Sequence, residues 1–209
     1  MNELTLLRQL LRTLIRIIVD REAYWAKTLE DSQALLHVDE LTGLYNYRYL
    51  QASLRKEIKR CLRNDSKFAL LFIDIDDFKR INDHFGHLVG SSLLKQLGAL
   101  LLATVRENDS VIRYGGDEFV ILLTDTNQDS ASLVAQRLRD TVDQFPFPAN
   151  GKQLRISISI GIAIYPYHGL HANELLSQAD QAMYQSKRNG KNKVFMKDNK
   201  SKFDFIKIG

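Results

Sequence analysis

The sequence predicts an α+β domain: a central, mainly antiparallel sheet with surrounding helices, preceded by a long N-terminal helix. Three observations carry this. The stretch "LRISISIGIAIY" (154–165) alternates strictly, placing Ile156, Ile158, Ile160, Ile162 and Ile164 on one face. The stretch "VIRYGGDEFVILL" (111–123) holds two apolar runs about Gly115–Gly116, the pattern of a hairpin with positive φ at its tip. Segments with helical apolar spacing separate such runs, in the order β–α–ββ–α–β after an initial helix. That order suggests one antiparallel sheet with helices on one face.

Residues 3–36 contain no Gly or Pro and read as one helix. Leu4, Leu7, Leu11, Leu14 and Ile18 follow coiled-coil spacing, and Trp25 resumes it after Arg21. Arg8, Arg12 and Arg16 form a separate stripe, either a solvated face beside a dimer seam or a basic surface for a membrane or partner. The domain boundary is placed near His37–Asp39, giving 1–37 as a stalk, 38–197 as the main domain and 198–209 as a charged tail. A helix is predicted over about 47–63, then the strand "FALLFIDID" (68–76) and an Asp-rich loop that opens a helix. Leu93, Leu94, Leu97, Leu100 and Leu101 mark an amphipathic helix to about 106. Leu133, Val134, Leu138 and Val142 mark another, ending before "FPFP". On strand 154–165, the face opposite the isoleucines carries Ser157, Ser159, Gly161 and Ala163, small enough for close approach of a helix or ligand. A helix over 172–188 and a short strand at 193–196 complete the domain.

Composition bounds the function. With 44% apolar and 26% charged residues the chain is globular, and 209 residues hold one domain plus an accessory segment. A net charge of +4 suits an anionic small molecule and is too weak to indicate a nucleic-acid polymer. The single Cys61 rules out an internal disulfide, and no signal peptide or spanning helix is evident, so a cytoplasmic protein is expected.

The chemistry concentrates in carboxylates. Asp74, Asp76 and Asp77 end one apolar strand, and Asp117 and Glu118 follow the hairpin tip. If these strands are neighbours, Asp74 and Asp117 converge, and clustered carboxylates need a cation to stay ionised. Oxygen ligands favour Mg²⁺ or Mn²⁺ held between carboxylates and substrate phosphates. The bland alternative is that Asp76 and Asp77 cap the helix of "DDFKRIND". Lys79 lies one turn into that helix, whose N-terminus can bind phosphate. Lys187 and Lys191 add a clamp suited to a polyphosphate.

Four segments, "DELTGLYN", "FIDIDDFKRINDHFGH", "RYGGDEF" and "DQAMYQSKRNGKN", together resemble the GGDEF family of diguanylate cyclases over about residues 37–197. The resemblance implies a palm-like fold similar to nucleotidyl cyclases. It also implies two subunits meeting face to face, each 3′-hydroxyl attacking the partner's α-phosphate with release of pyrophosphate. Two Mg²⁺ or Mn²⁺ ions per half-site would serve this reaction. By position, Asp74, Asp117 and the Ile75 carbonyl match metal ligands. Glu118 matches a base or second-metal ligand. Asp77 and Phe78 match phosphate-binding amides, and Lys79 matches a stabiliser of phosphate charge. Lys187 and Lys191 match holders of the outer phosphates, and Gly115 and Gly116 let the hairpin approach the nucleotide. Arg106 and Asp109 lie at the offset of the family's inhibitory product site for cyclic di-GMP, with Arg137 a candidate partner. The bland alternative places Arg106 favourably near a helix C-terminus.

Asn82 matches one guanine reader, but Ser91 stands where the family's second reader is an aspartate. Serine neither selects guanine nor repels adenine as a carboxylate does, which resembles the promiscuous subgroup making cyclic GMP-AMP from GTP and ATP. The alternative is that a water or neighbouring side chain restores selectivity. Tyr45 and Tyr47 also depart from the usual Pro and Arg. The expectation is therefore a homodimeric cyclic dinucleotide synthase, joined through the N-terminal helix. The rival is a silent module sensing GTP or cyclic di-GMP.

Overall fold

The computed structural model describes residues 36–149 and 151–197. Every strand and helix named here belongs to the unit that begins at Asp39. The stalk helix and the charged tail lie outside the described residues.

Helix α1 (Tyr47–Asn64) starts where the Asn46 side chain accepts the Arg48 and Tyr49 amides, and it ends on Asp65 in the left-handed region. Strand β1 (Phe68–Ile75) follows, buried at every position. A two-residue turn leads to α2 (Phe78–Phe85), and Gly86, at φ +86°, separates it from α3 (His87–Thr104). Strands β2 (Ser110–Gly115) and β3 (Glu118–Leu123) form the hairpin. Helix α4 (Gln128–Gln144), capped by the Asn127 side chain, precedes a small hairpin of β4 (Phe147–Ala149) and β5 (Lys152–Leu154). Strand β6 (Ile158–Tyr165), helix α5 (Ala172–Arg188) and strand β7 (Val194–Met196) finish the unit.

The five-stranded sheet has the order β2–β3–β1–β6–β7. All pairings are antiparallel except β6 with β7. Sequence reading expected helices on one face; they cover both. Side chains alternate along β1, so Ala69, Leu71, Ile73 and Ile75 pack with Leu93 and Leu97 of α3 and Ala135 and Leu138 of α4. Leu70 and Phe72 face the other way, against Leu50 and Leu54 of α1 and Leu175 and Ala179 of α5. The isoleucine face of β6 belongs to the first layer and its small-residue face to the second.

That small face admits a helix. A Cβ on Gly161 would lie 2.0 Å from the Ala179 carbonyl oxygen and 2.1 Å from the Met183 nitrogen. Helix α5 therefore rests its backbone on β6, which sets the height of its C-terminal end and of Lys187. The β4–β5 hairpin is the element that sequence reading missed, since three-residue strands are too short to show a period.

Candidate active site

Strand register builds the site. Asp74 lies opposite Glu118 of β3 on one side and Ser159 of β6 on the other. Leu70 and Phe72 face the α1/α5 layer, so Asp74, two residues further on, points there too. Val120 and Leu122 place Glu118 on the same side. Lys187, in the last turn of α5, brings its Nζ to 2.5 Å from Asp74 Oδ1. Basic residues there also complement the helix dipole. Asp117 occupies the two-residue turn with Gly116. Only Gly116 needs glycine's freedom, at φ +54°; Gly115 is the last residue of β2, which corrects the expectation of positive φ at both.

At Asp74 and Glu118, burial and mutual repulsion outweigh the nearby positive charge. Burial pushes Asp74 up to about 6, against the pull of Lys187, and the neighbouring charges of Asp117 and Asp76 add to the rise. Burial also raises Glu118, helped by Asp74, Asp180 and Asp117. Among the described residues, Lys187 Nζ is the one cation on the buried Asp74 Oδ1, which has no further donor. A buried, electron-rich oxygen beside a second carboxylate fits a hard divalent cation. Among the described residues, no group of three His, Cys, Asp or Glu side chains comes together as a ready-made metal cage. Two carboxylates, a carbonyl and substrate oxygens are the set that remains, which is how Mg²⁺ is commonly held.

The two residues after β1 behave differently from helix caps. Asp77 stands at φ +56°, and its side chain makes no cap bond. Lys191 Nζ lies 2.7 Å from its Oδ1 and holds the carboxyl below its ordinary value. Asp76 is buried and accepts from Ser157 Oγ (2.6 Å), Ser159 Oγ (2.7 Å) and the Asn192 amide (2.9 Å). Capping is thus excluded for both side chains. Phe78 opens α2 and Lys79, in its first turn, is exposed. A groove of about 690 Å³ runs beside this turn, lined by Asp76, Asp77, Arg80 and Arg155 among others.

Asn82 lies against Gly90, the residue before Ser91. A Cβ on Gly90 would lie 1.8 Å from Asn82 Oδ1, so glycine makes the room that the Asn82 side chain uses. Both Asn82 and Ser91 are half-buried.

Arg106, Asp109 and Arg137 also converge. Asp109 accepts the Arg106 amide at 3.1 Å and the Thr124 amide at 3.3 Å, so its oxygens first stabilise the β2 approach. Burial raises its carboxyl above the ordinary value despite those two amides. Arg137 donates to the Thr104 carbonyl at 2.8 Å, satisfying the end of α3. Both arginines are exposed.

Sequence reading missed Arg113. Its guanidinium donates to both oxygens of Asp39 at 3.1 Å and to the Gly116 carbonyl at 2.8 and 3.1 Å, joining the domain's entry turn to the hairpin tip. The signal was present in "RYGGDEF" and "DELTG", but nothing local couples residues so far apart.

Residues 36–193 match the family described as diguanylate cyclase, GGDEF domain. The chain belongs to the GGDEF family. This GGDEF protein is 36% identical to YhcK of Bacillus subtilis over 185 residues, covering 88% of the chain and 52% of the relative. It is 37% identical to the diguanylate cyclase DosC of Escherichia coli over 166 residues, covering 79% and 36%. The chain thus spans about half the length of YhcK and about a third of DosC. Its fold is similar to that of the diguanylate cyclase SiaD of Pseudomonas aeruginosa, crystallised with its activator SiaC. That likeness has a TM-score of 0.75 at 30% identity, covering 91% of this chain and 74% of SiaD. In this GGDEF domain no helix among the described residues is long and apolar enough to cross a membrane.

Proposed function

We propose that the protein condenses two GTP molecules into cyclic di-GMP. Each 3′-oxygen forms a bond to the partner nucleotide's α-phosphorus as the α–β anhydride bond breaks, and two pyrophosphates leave. The observation that carries this reading is the meeting of Asp74 with Glu118 across β1 and β3, beside Asp117 and under Lys187. A divalent ion held by Asp74, Asp117 and the Ile75 carbonyl, with Glu118 beside a second, would acidify the attacking hydroxyl and offset phosphate charge. The Asp77 and Phe78 amides and Lys79 receive the inner phosphates. Lys187 and Lys191, paired with carboxylates in the free protein, turn to the outer ones. Gly116 keeps the hairpin free of side chain where the nucleotide comes closest.

Asn82 and Ser91 read the base. With serine in place of a carboxylate, adenine is no longer repelled, so GTP plus ATP yields cyclic GMP-AMP beside cyclic di-GMP. Two chains are needed because each supplies one nucleotide, and residues 1–37 join them as a coiled coil that raises effective concentration. Cyclic di-GMP accumulating at Arg106, Asp109 and Arg137 feeds back on the reaction. The cytoplasm supplies both nucleotides.

Chromatography of products from GTP, ATP and their mixture with Mg²⁺ tests the reading. Pyrophosphate release with cyclic dinucleotides, abolished by Asp117→Ala, is expected, and Ser91→Asp should move output toward cyclic di-GMP. No pyrophosphate from the wild-type chain would refute catalysis. Cyclic di-GMP alone at equal GTP and ATP would refute relaxed purine selectivity.

A further inference from the structure

Asp76 is an acid whose two oxygens are both committed inside the protein. Asp76 is buried, at 5% residue exposure, whereas its neighbour Asp77 is exposed. Oδ1 accepts from Ser159, while Oδ2 accepts from Ser157 and from the backbone amide of Asn192. Its own amide donates to the Ser157 carbonyl at 2.9 Å. A carboxylate so enclosed is not offered to a metal or a nucleotide. It joins three chain segments: the end of β1, the approach to β6, and the loop after α5.

That loop is the one carrying Lys191. Lys191 stands at φ +60° and Asn192 at φ +48°, two consecutive residues with side chains in the left-handed region. Such a pair persists only when held from outside. The holds are visible: the Lys191 amide donates to the Ser186 carbonyl at 3.2 Å, Asn192 Nδ2 donates to Asp143 Oδ1 at 3.0 Å, and Arg139 donates to the Asn192 carbonyl at 3.3 Å. Asp76 adds a hold on the loop's backbone that comes from the carboxylate-bearing turn itself. Lys191 Nζ meanwhile reaches Asp77, the next residue. The adjacent pair thus grips the loop twice, at the backbone through Asp76 and at the ammonium through Asp77. The Asp77 contact is exposed and exchangeable for phosphate; the Asp76 contact is buried and stays.

We propose that Asp76 is a positioning residue that, through the Asn192 amide, aims Lys191 and so sets the hold on the outer phosphates of the nucleotide. The inference rests on the reading that Lys191 receives those phosphates, and it gives Asp76 no contact with substrate or metal.

The test uses the full chain and compares Asp76→Asn, Lys191→Met and their double variant. Calorimetry would measure binding of 3′-deoxy-GTP, which cannot react, and of GMP, which lacks the outer phosphates. Steady-state kinetics with GTP would run alongside. Lys191→Met should weaken 3′-deoxy-GTP about tenfold and leave GMP unchanged, the loss of one charge-assisted contact. Asp76→Asn should give the same pattern, with KM raised and kcat nearly kept. The double variant should fall within about twofold of the weaker single variant, because both changes remove the same contact. Multiplicative losses in the double variant, or equal weakening of GMP by Asp76→Asn, would overturn the role given to Asp76. Unchanged 3′-deoxy-GTP affinity in Lys191→Met would instead overturn the lysine reading beneath it. Should Asp76→Asn fail to fold, Ser157→Ala removes one donor to the same carboxylate. It should give a triphosphate-only loss of about threefold, and no loss would count against the proposal.

Discussion

Asp74→Asn should abolish cyclase activity and yet stabilise the metal-free protein. Burial lifts the Asp74 carboxyl from 3.8 to about 6. Below the ordinary value the group is protonated in folded and unfolded chains alike, and burial of its charge costs nothing. As pH rises from about 4 to about 6 the unfolded chain releases its proton first, so the native state loses stability across that window. Above about 6 the full cost is felt, with an upper bound of about 3 kcal/mol at about 1.4 kcal/mol per pH unit. Solvent screening at the mouth of the site reduces it, so a gain of about 1–3 kcal/mol is expected for the neutral amide. Lys187 loses its partner in the variant, but its side chain is 29% exposed and turns to water. For a domain of this size the gain corresponds to roughly 3–8 °C in Tm. Thermal unfolding in chelator at pH of about 7.5 and about 4.5 would measure it, with the difference shrinking at the lower pH. Mg²⁺ with GTP should then raise the Tm of the wild type and not of the variant. A variant no more stable than wild type at the higher pH, or a gain that persists unchanged at the lower one, would refute the argument.

Three further outcomes follow from the packing and ion pairs. Gly161→Ala should destabilise the fold by about 3 kcal/mol or more, because its Cβ would collide with α5 backbone; an unchanged urea midpoint would contradict that contact. Arg113→Lys, which cannot span both Asp39 and Gly116, should cost about 1–2 kcal/mol of stability and raise KM for GTP, read by chemical unfolding and initial rates. Arg106→Ala should keep the exposed surface stable to within about 0.5 kcal/mol and straighten progress curves that bend as product accumulates. Curves that bend as before would remove the inhibitory role.

The sheet was legible because β1, β3 and β6 are long enough to show their periods, and the isoleucine ladder of β6 has no other reading. The two-sided cover was less so. Small residues opposite the isoleucines were compatible with a helix or a ligand, and only the approach of Ala179 and Met183 to Gly161 decides for the helix. At the site, Asp74 and Asp117 could be paired on paper only on the condition that their strands are neighbours, which the pairing of β1 with β3 meets. The family resemblance set Asp74 and Asp77 apart by role, but for Asp76 it offered nothing beyond a helix cap. Their difference lies in partners: Lys187 for the first, Ser157, Ser159 and Asn192 for the second, Lys191 for the third. All of these lie far along the chain, and no local rule assigns them. The left-handed Asp77 was invisible for a like reason, because tertiary contacts hold an aspartate where glycine is ordinarily expected.

The central place of β1 has a consequence for how the chain comes to be made. Its eight buried positions leave the ribosome well before β6, which pairs with all eight and emerges only after α4 and the β4–β5 hairpin. At about 5–20 residues per second, "FALLFIDI" waits several seconds for half of its hydrogen-bonding partners. During that interval it is a sticky, uncharged ribbon apart from Asp74, and the same aspartate that later meets Lys187 is the one charge interrupting it.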